Sequence, residues 1–400
     1  MKMNGAPDYR KTKLACYLGF VTQAIVANFT PLLFMVFYRE YGIPVSRLAL
    51  IPALFYVVQL VTDFLCAKFK NLNYRKSIVI SEIVSALGLV GLAFLPQLFS
   101  NPLAGILLCV AVYAVGSGLI EVLCSPIIEA CPFPNKEGMM SLLHSFYCWG
   151  AVCVILGSTL FFTLFGLENW RLLACFWALV PLYNTYNFIV CPIEPIVPDA
   201  EGMSMKQLLG NRMFWLFLLL MVAAGASEST MAQWTSAFAE ASLGVDKAVG
   251  DLAGPCGFAF CMGLGRLWYG KKGENLDLSV YMVWAGMLCF FAYLVASLSS
   301  IPQFAFAGCL ISGLAVGIMW PGSISLTSAR IPGGGTALFA LLALAGDVGG
   351  TLGPSLVGLF TESSGSDIQS GLFAASVFPV LLVVCLLLLR QRKYRTSVSL

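Results

Sequence analysis

The chain has 400 residues, 59% of them hydrophobic and 11% charged, with a mean hydropathy of +0.85. A soluble domain carries about 25% charged residues, so these figures exclude a water-soluble globule and leave a polytopic membrane protein. A net charge of +3 gives no reason to expect a nucleic-acid partner.

Twelve apolar segments reach the length of about 20 residues that a helical span needs. They run over 14–37, 46–69, 77–97, 102–127, 139–165, 171–191, 212–238, 248–270, 278–299, 303–328, 336–360 and 369–390. The first is too long for a signal-peptide core and reads as a retained span. The stretch 192–211, PIEPIVPDAEGMSMKQLLGN, carries three prolines and several charges; it reads as an extended linker with a short amphipathic end. It divides the chain into a six-helix bundle over 1–191 and a second over 212–400. The distribution of Lys and Arg sets the orientation. With both termini in the cytoplasm, 19 of the 23 basic residues fall on the inner side, and only Arg39, Arg47, Arg171 and Lys247 fall outside.

The other connections are short and leave no room for a soluble catalytic or nucleotide-binding domain. Gly333-Gly334-Gly335 lacks the Lys-Ser/Thr that completes a phosphate loop. The fourteen cysteines are scattered without CxxC or Cys/His spacing, which fits small buried apolar residues. No cofactor, metal or enzymatic activity is expected.

The stretch GSGLIEVLCSPIIEACP (116–132) sets Ser117, Glu121, Ser125 and Glu129 four residues apart, one polar ridge on a helix. A carboxylate at such depth is costly unless it faces a cavity or a partner. Ser117-Gly118-Leu119 recurs as Ser312-Gly313-Leu314, and Pro126 as Pro321, both 195 residues later. In the second copy Val316 takes the place of Glu121, and Trp320 precedes the proline. Two related halves, one of which keeps the charge, describe a membrane carrier.

On these features the chain resembles the major facilitator superfamily: six plus six spans, a central linker and related halves. GLIEVLCSP and SLLHSFYCWGAV resemble spans four and five of the fucose–galactose–glucose proton symporter group and its bacterial relatives. GASESTMAQW repeats that group's Glu and Trp six residues apart, here Glu228 and Trp234. The resemblance implies an all-α fold of twelve transmembrane helices in a bacterial inner membrane. It also implies a proton-linked role for Glu121 and solute contacts from His144 and Tyr147, where the group usually has Gln and Asn. Two features depart from the group. Span one offers Gln23 and Asn28 in place of an acid, and FKNLNYRK puts Lys70 near the usual Asp of the loop after span two.

Three carboxylates are candidates for proton coupling: Glu121, Glu228 and Asp347. Glu228 lies 16 residues into span seven, roughly 24 Å from its inner end. Around it, Gln233 offers donors and an acceptor, and Trp234 a flat apolar face for a sugar ring. Asp347 lies near the midplane of span eleven, with Thr351 and Ser355 on the same helix face. His144, the single histidine, titrates in a range that suits a proton relay. Together with Gln23, Asn28, Tyr147 and Trp320, these residues form the expected solute site. Asp63, Glu82, Glu129 and Arg266 fall toward cytoplasmic helix ends and read as latching ion pairs. The expected function is secondary transport of a small polar solute, a sugar by preference, by a monomer working through proton symport. An exporter of amphipathic compounds and a non-transporting membrane sensor are the alternatives.

Overall fold

A computed structural model describes residues 7–48, 50–69, 72–194, 202–243, 252–364 and 368–398. Among these residues every regular element is helical. The principal helices are α1 (Tyr9–Leu32), α2 (Leu50–Lys68), α3 (Tyr74–Phe94), α4 (Pro102–Ala130), α5 (Lys136–Phe165) and α6 (Trp170–Val190). They continue with α7 (Arg212–Leu243), α8 (Gly257–Lys272), α9 (Leu278–Leu298), α10 (Pro302–Arg330), α11 (Gly335–Ser363) and α12 (Ile368–Gln391). All but α8 are long and apolar enough to cross a membrane.

The exception has a local cause. The segment expected over 248–270 begins with four residues outside the described ones, and its next stretch, Leu252–Cys256, winds as a π turn containing Pro255. Only then does α8 start. A side chain on Gly254 would come within 2.9 Å of the Ser236 backbone on α7, so the irregular turn packs against a neighbouring main chain.

Capping residues fix several helix starts. Asn73 accepts from the Lys76 N–H at 3.0 Å, and Asn101 from that of Leu103 at 3.2 Å with Pro102 in the first turn. In the linker, Ser204 and Gln207 form a capping box on the short helix Met205–Gly210. Span one is not continuous: Pro31 ends α1 at Leu32, and a separate helix, Phe34–Tyr41, follows.

The helices pack as two compact units. The first comprises Met1–Phe133, Trp149–Gly202 and Gly335–Ala340; the second comprises Pro134–Cys148, Met203–Gly334 and Leu341–Leu400. The α5 helix therefore contributes its opening turns to the second unit and the remainder to the first. The first unit's core gathers Phe29, Phe37, Tyr113 and Trp170, all fully buried. Phe37 meets the Trp170 ring edge-on at 5.7 Å. In the second unit Phe214, Phe217, Phe238, Phe258, Tyr269 and Tyr293 are among the large buried side chains. Leu87, Leu160, Trp284, Phe291 and Leu359 are exposed apolar side chains. Such an apolar exterior belongs in hydrocarbon.

Candidate functional site

Each unit holds a buried acidic cluster. In the first, Gly118 lets α2 approach α4: a side chain there would meet Thr62 Cβ at 2.9 Å. One turn earlier on α2, Gln59 reaches two of the polar positions of the α4 ridge. Its amide nitrogen donates to Glu121 Oε2 at 2.6 Å, and its Oε1 accepts from the Ser117 hydroxyl at 3.0 Å. From α1, Gln23 donates to the same Glu121 oxygen at 2.9 Å. Glu121 is only 9% exposed, and two side-chain amides therefore hold its carboxylate.

A second carboxylate of this unit, Glu82 on α3, is completely buried. Thr22 donates to it at 2.9 Å and Asn184 at 2.7 Å, and the Asn184 amide also donates to the Ala15 carbonyl. Glu82 therefore ties α1, α3 and α6 together through hydrogen bonds. Asn28 turns away from this chemistry and donates to Ala24 O on its own helix at 2.9 Å.

The second unit builds its cluster around Arg266 of α8, which is 2% exposed. Pro321 has no N–H to offer the carbonyl four residues earlier. That carbonyl belongs to Gly317, where α10 is irregular, and Arg266 Nε donates to it at 3.0 Å. Nη1 donates to the His144 carbonyl at 3.0 Å and reaches Cys148 Sγ at 3.1 Å. Nη2 completes an ion pair with Glu228 Oε2 at 2.9 Å. One guanidinium thus joins α5, α7, α8 and α10. Burying so many donors is tolerable because each of the three nitrogens has an acceptor. Arg266 was expected in a cytoplasmic latch; it is paired, but its partner is Glu228.

The α7 and α11 helices approach through glycine. A side chain on Gly225 would lie 2.1 Å from the Gly346 oxygen, and one on Gly349 would lie 2.0 Å from the Val222 oxygen. Trp320 packs its ring over Gly346. Asp347, next along α11, is half-buried, and its carbonyl accepts from Thr351 at 3.0 Å. Trp234 is half-buried and gives its indole N–H to the Pro354 carbonyl at 3.1 Å, while Gln233 is exposed. His144 is buried at 4% exposure and Tyr147 is half-buried.

The sequence named Gln23, Glu121, Glu228 and His144 as site candidates without pairing them, and the structure joins the first two by a hydrogen bond. Sequence reasoning passed over Gln59, whose signal was an amide four residues before Asp63 in an otherwise apolar run. It also missed Arg266 as the partner of Glu228, a pairing that 38 residues of separation concealed. Among the described residues no group of His, Cys, Asp or Glu is placed to hold a metal ion.

The model of the Major Facilitator Superfamily matches residues 15–334. A search of the curated proteins finds no match. Among solved structures, the E. coli fucose:proton symporter FucP superposes with a TM-score of 0.76 at 13% identity, over 94% of this chain and 97% of that one. The proton:xylose symporter XylE, bound to 6-bromo-6-deoxy-D-glucose, gives 0.78 at 13% identity over 94% of each chain. At such identity the likeness is one of fold. With a family match across 320 residues, the chain belongs to the Major Facilitator Superfamily, and it is a multi-pass secondary transporter rather than an enzyme.

Proposed function

We propose that this transporter carries a small hydroxylated solute, such as a monosaccharide, inward together with protons by alternating access. Its setting is a bacterial inner membrane with both termini cytoplasmic, an orientation supported by the imbalance of basic residues. The six-plus-six division about the 192–211 linker supplies the two moving halves. The observation that carries the reading is Glu121, a buried carboxylate in an apolar helix held by the amides of Gln23 and Gln59. Neutral donors can turn their acceptor ends toward a protonated acid, so the same two amides can bond this site in both of its protonation states. The fucose and xylose carriers of like fold support a sugar as cargo.

The test is flux in proteoliposomes under an inward proton gradient, across fucose, xylose, glucose and polyols. Uptake of one of these above the gradient-free level is expected, and Glu121→Gln should lower gradient-driven accumulation about tenfold or more while leaving solute exchange intact. Accumulation unchanged by Glu121→Gln would remove the proton role from this residue. A solute moved only outward would remove the uptake reading.

A further inference from the structure

A cavity of about 690 Å³ opens in the second unit, and neither Glu228 nor Arg266 lines it. Its walls come from the start of α5, the α8–α9 loop and the last turns of α10 and α12. Six charged side chains line it: Lys136, Arg330 and Arg390, and Glu137, Glu274 and Asp277. The balance is equal by count, but two of the three acids are engaged in hydrogen bonds. Glu137 accepts from the Tyr269 hydroxyl at 3.0 Å, and Asp277 caps α9 by accepting from the Val280 N–H at 2.9 Å. Neither Arg330 nor Arg390 makes a side-chain hydrogen bond or ion pair among the described residues. Two half-buried guanidiniums therefore face a cavity with their donors unspent.

A guanidinium presents five N–H donors in a planar fork that matches the oxygens of a phosphate. The sequence continues past Arg390 with Arg392, Lys393 and Arg395. A basic run at the end of a membrane helix attracts anionic headgroups, and basic pockets among helix ends on that side hold their phosphates. We propose that this cavity binds a phosphate group, gripped by Arg330 and Arg390. The phosphate belongs either to an anionic phospholipid or to a small soluble phosphate ester. The proposal is independent of the transported solute and of Glu121.

The purified full chain is unfolded by heat in neutral detergent with one of three additions: phosphatidylglycerol, glycerol 3-phosphate, or a phosphate-free galactolipid. A phosphate probe should raise the midpoint by about 2–4 °C over the galactolipid, and the rise should shrink as salt is added. Arg330→Gln/Arg390→Gln should abolish it. A shift with phosphatidylglycerol alone assigns a lipid headgroup, and an equal shift with glycerol 3-phosphate assigns a soluble ester. If the double variant does not fold, Arg390→Gln at the end of α12 replaces it and should halve the rise or more. No rise above the galactolipid, or a full rise in the variants, overturns the proposal. Since no gradient or flux enters, failure here leaves the symport reading standing, and failure of symport leaves this site standing.

Discussion

Glu121 on α4 and Glu228 on α7 are both carboxylates set deep in apolar helices, yet their neighbours treat them differently. Glu121 rests on the uncharged amides of Gln23 and Gln59, while Glu228 faces the buried guanidinium of Arg266. Amides have both donors and acceptors and can follow a change of protonation by rotating. A buried arginine has donors only, so neutralising its acid leaves an uncompensated cation, at a cost of about 3–5 kcal/mol. On the proposed function, proton exchange belongs to the first cluster, and the second keeps a lasting structural charge. The internal repeat fits this division: Val316, the counterpart of Glu121, is fully buried, and the charge of the second unit sits on α7 and α8 instead.

The sharpest way to break the comparison is Arg266→Met. It strands Glu228 and removes the partners of the Gly317 and His144 carbonyls, so a loss of about 3–5 kcal/mol is expected, read as a large fall in the thermal midpoint in detergent. An unchanged midpoint would mean the pair does not form. Gly349→Ala should follow, since its added carbon meets the Val222 oxygen at 2.0 Å and forces α7 and α11 apart. A loss of about 1–3 kcal/mol should appear as reduced folded yield by size-exclusion chromatography. Gln59→Leu should cost about 1–2 kcal/mol in thermal unfolding, because it takes one donor from Glu121 and the acceptor from Ser117. Its effect on transport sharpens the comparison: the pH dependence of uptake should move in Gln59→Leu and stay in place in Thr22→Val. The latter removes one donor from Glu82 and should cost about 1 kcal/mol.

Fold and site were legible to different depths. Hydropathy is a sum over many positions, so the membrane helices could be read with errors of a few residues. Breaks were harder, because Pro31 ends α1 while Pro126 sits inside an unbroken α4. Helix geometry at a proline depends on what the neighbours offer the freed groups. Buried carboxylates are conspicuous in apolar runs, and Glu121 and Glu228 were named for that reason. Their partners were not conspicuous, since amides and arginines serve many roles and pairing depends on which helix faces meet. Trp234 illustrates the limit: its ring suggested a sugar platform, and nothing in the sequence signalled that its N–H would go to the Pro354 carbonyl.

The Gly317 oxygen is open to Arg266 because a ring 55 residues further along the sequence vacated it. Replacing Pro321 by alanine would restore an amide that competes for the same oxygen, loosening the guanidinium's seat without touching either charged group. The two positions are thus epistatic: a change at one alters what the other will tolerate.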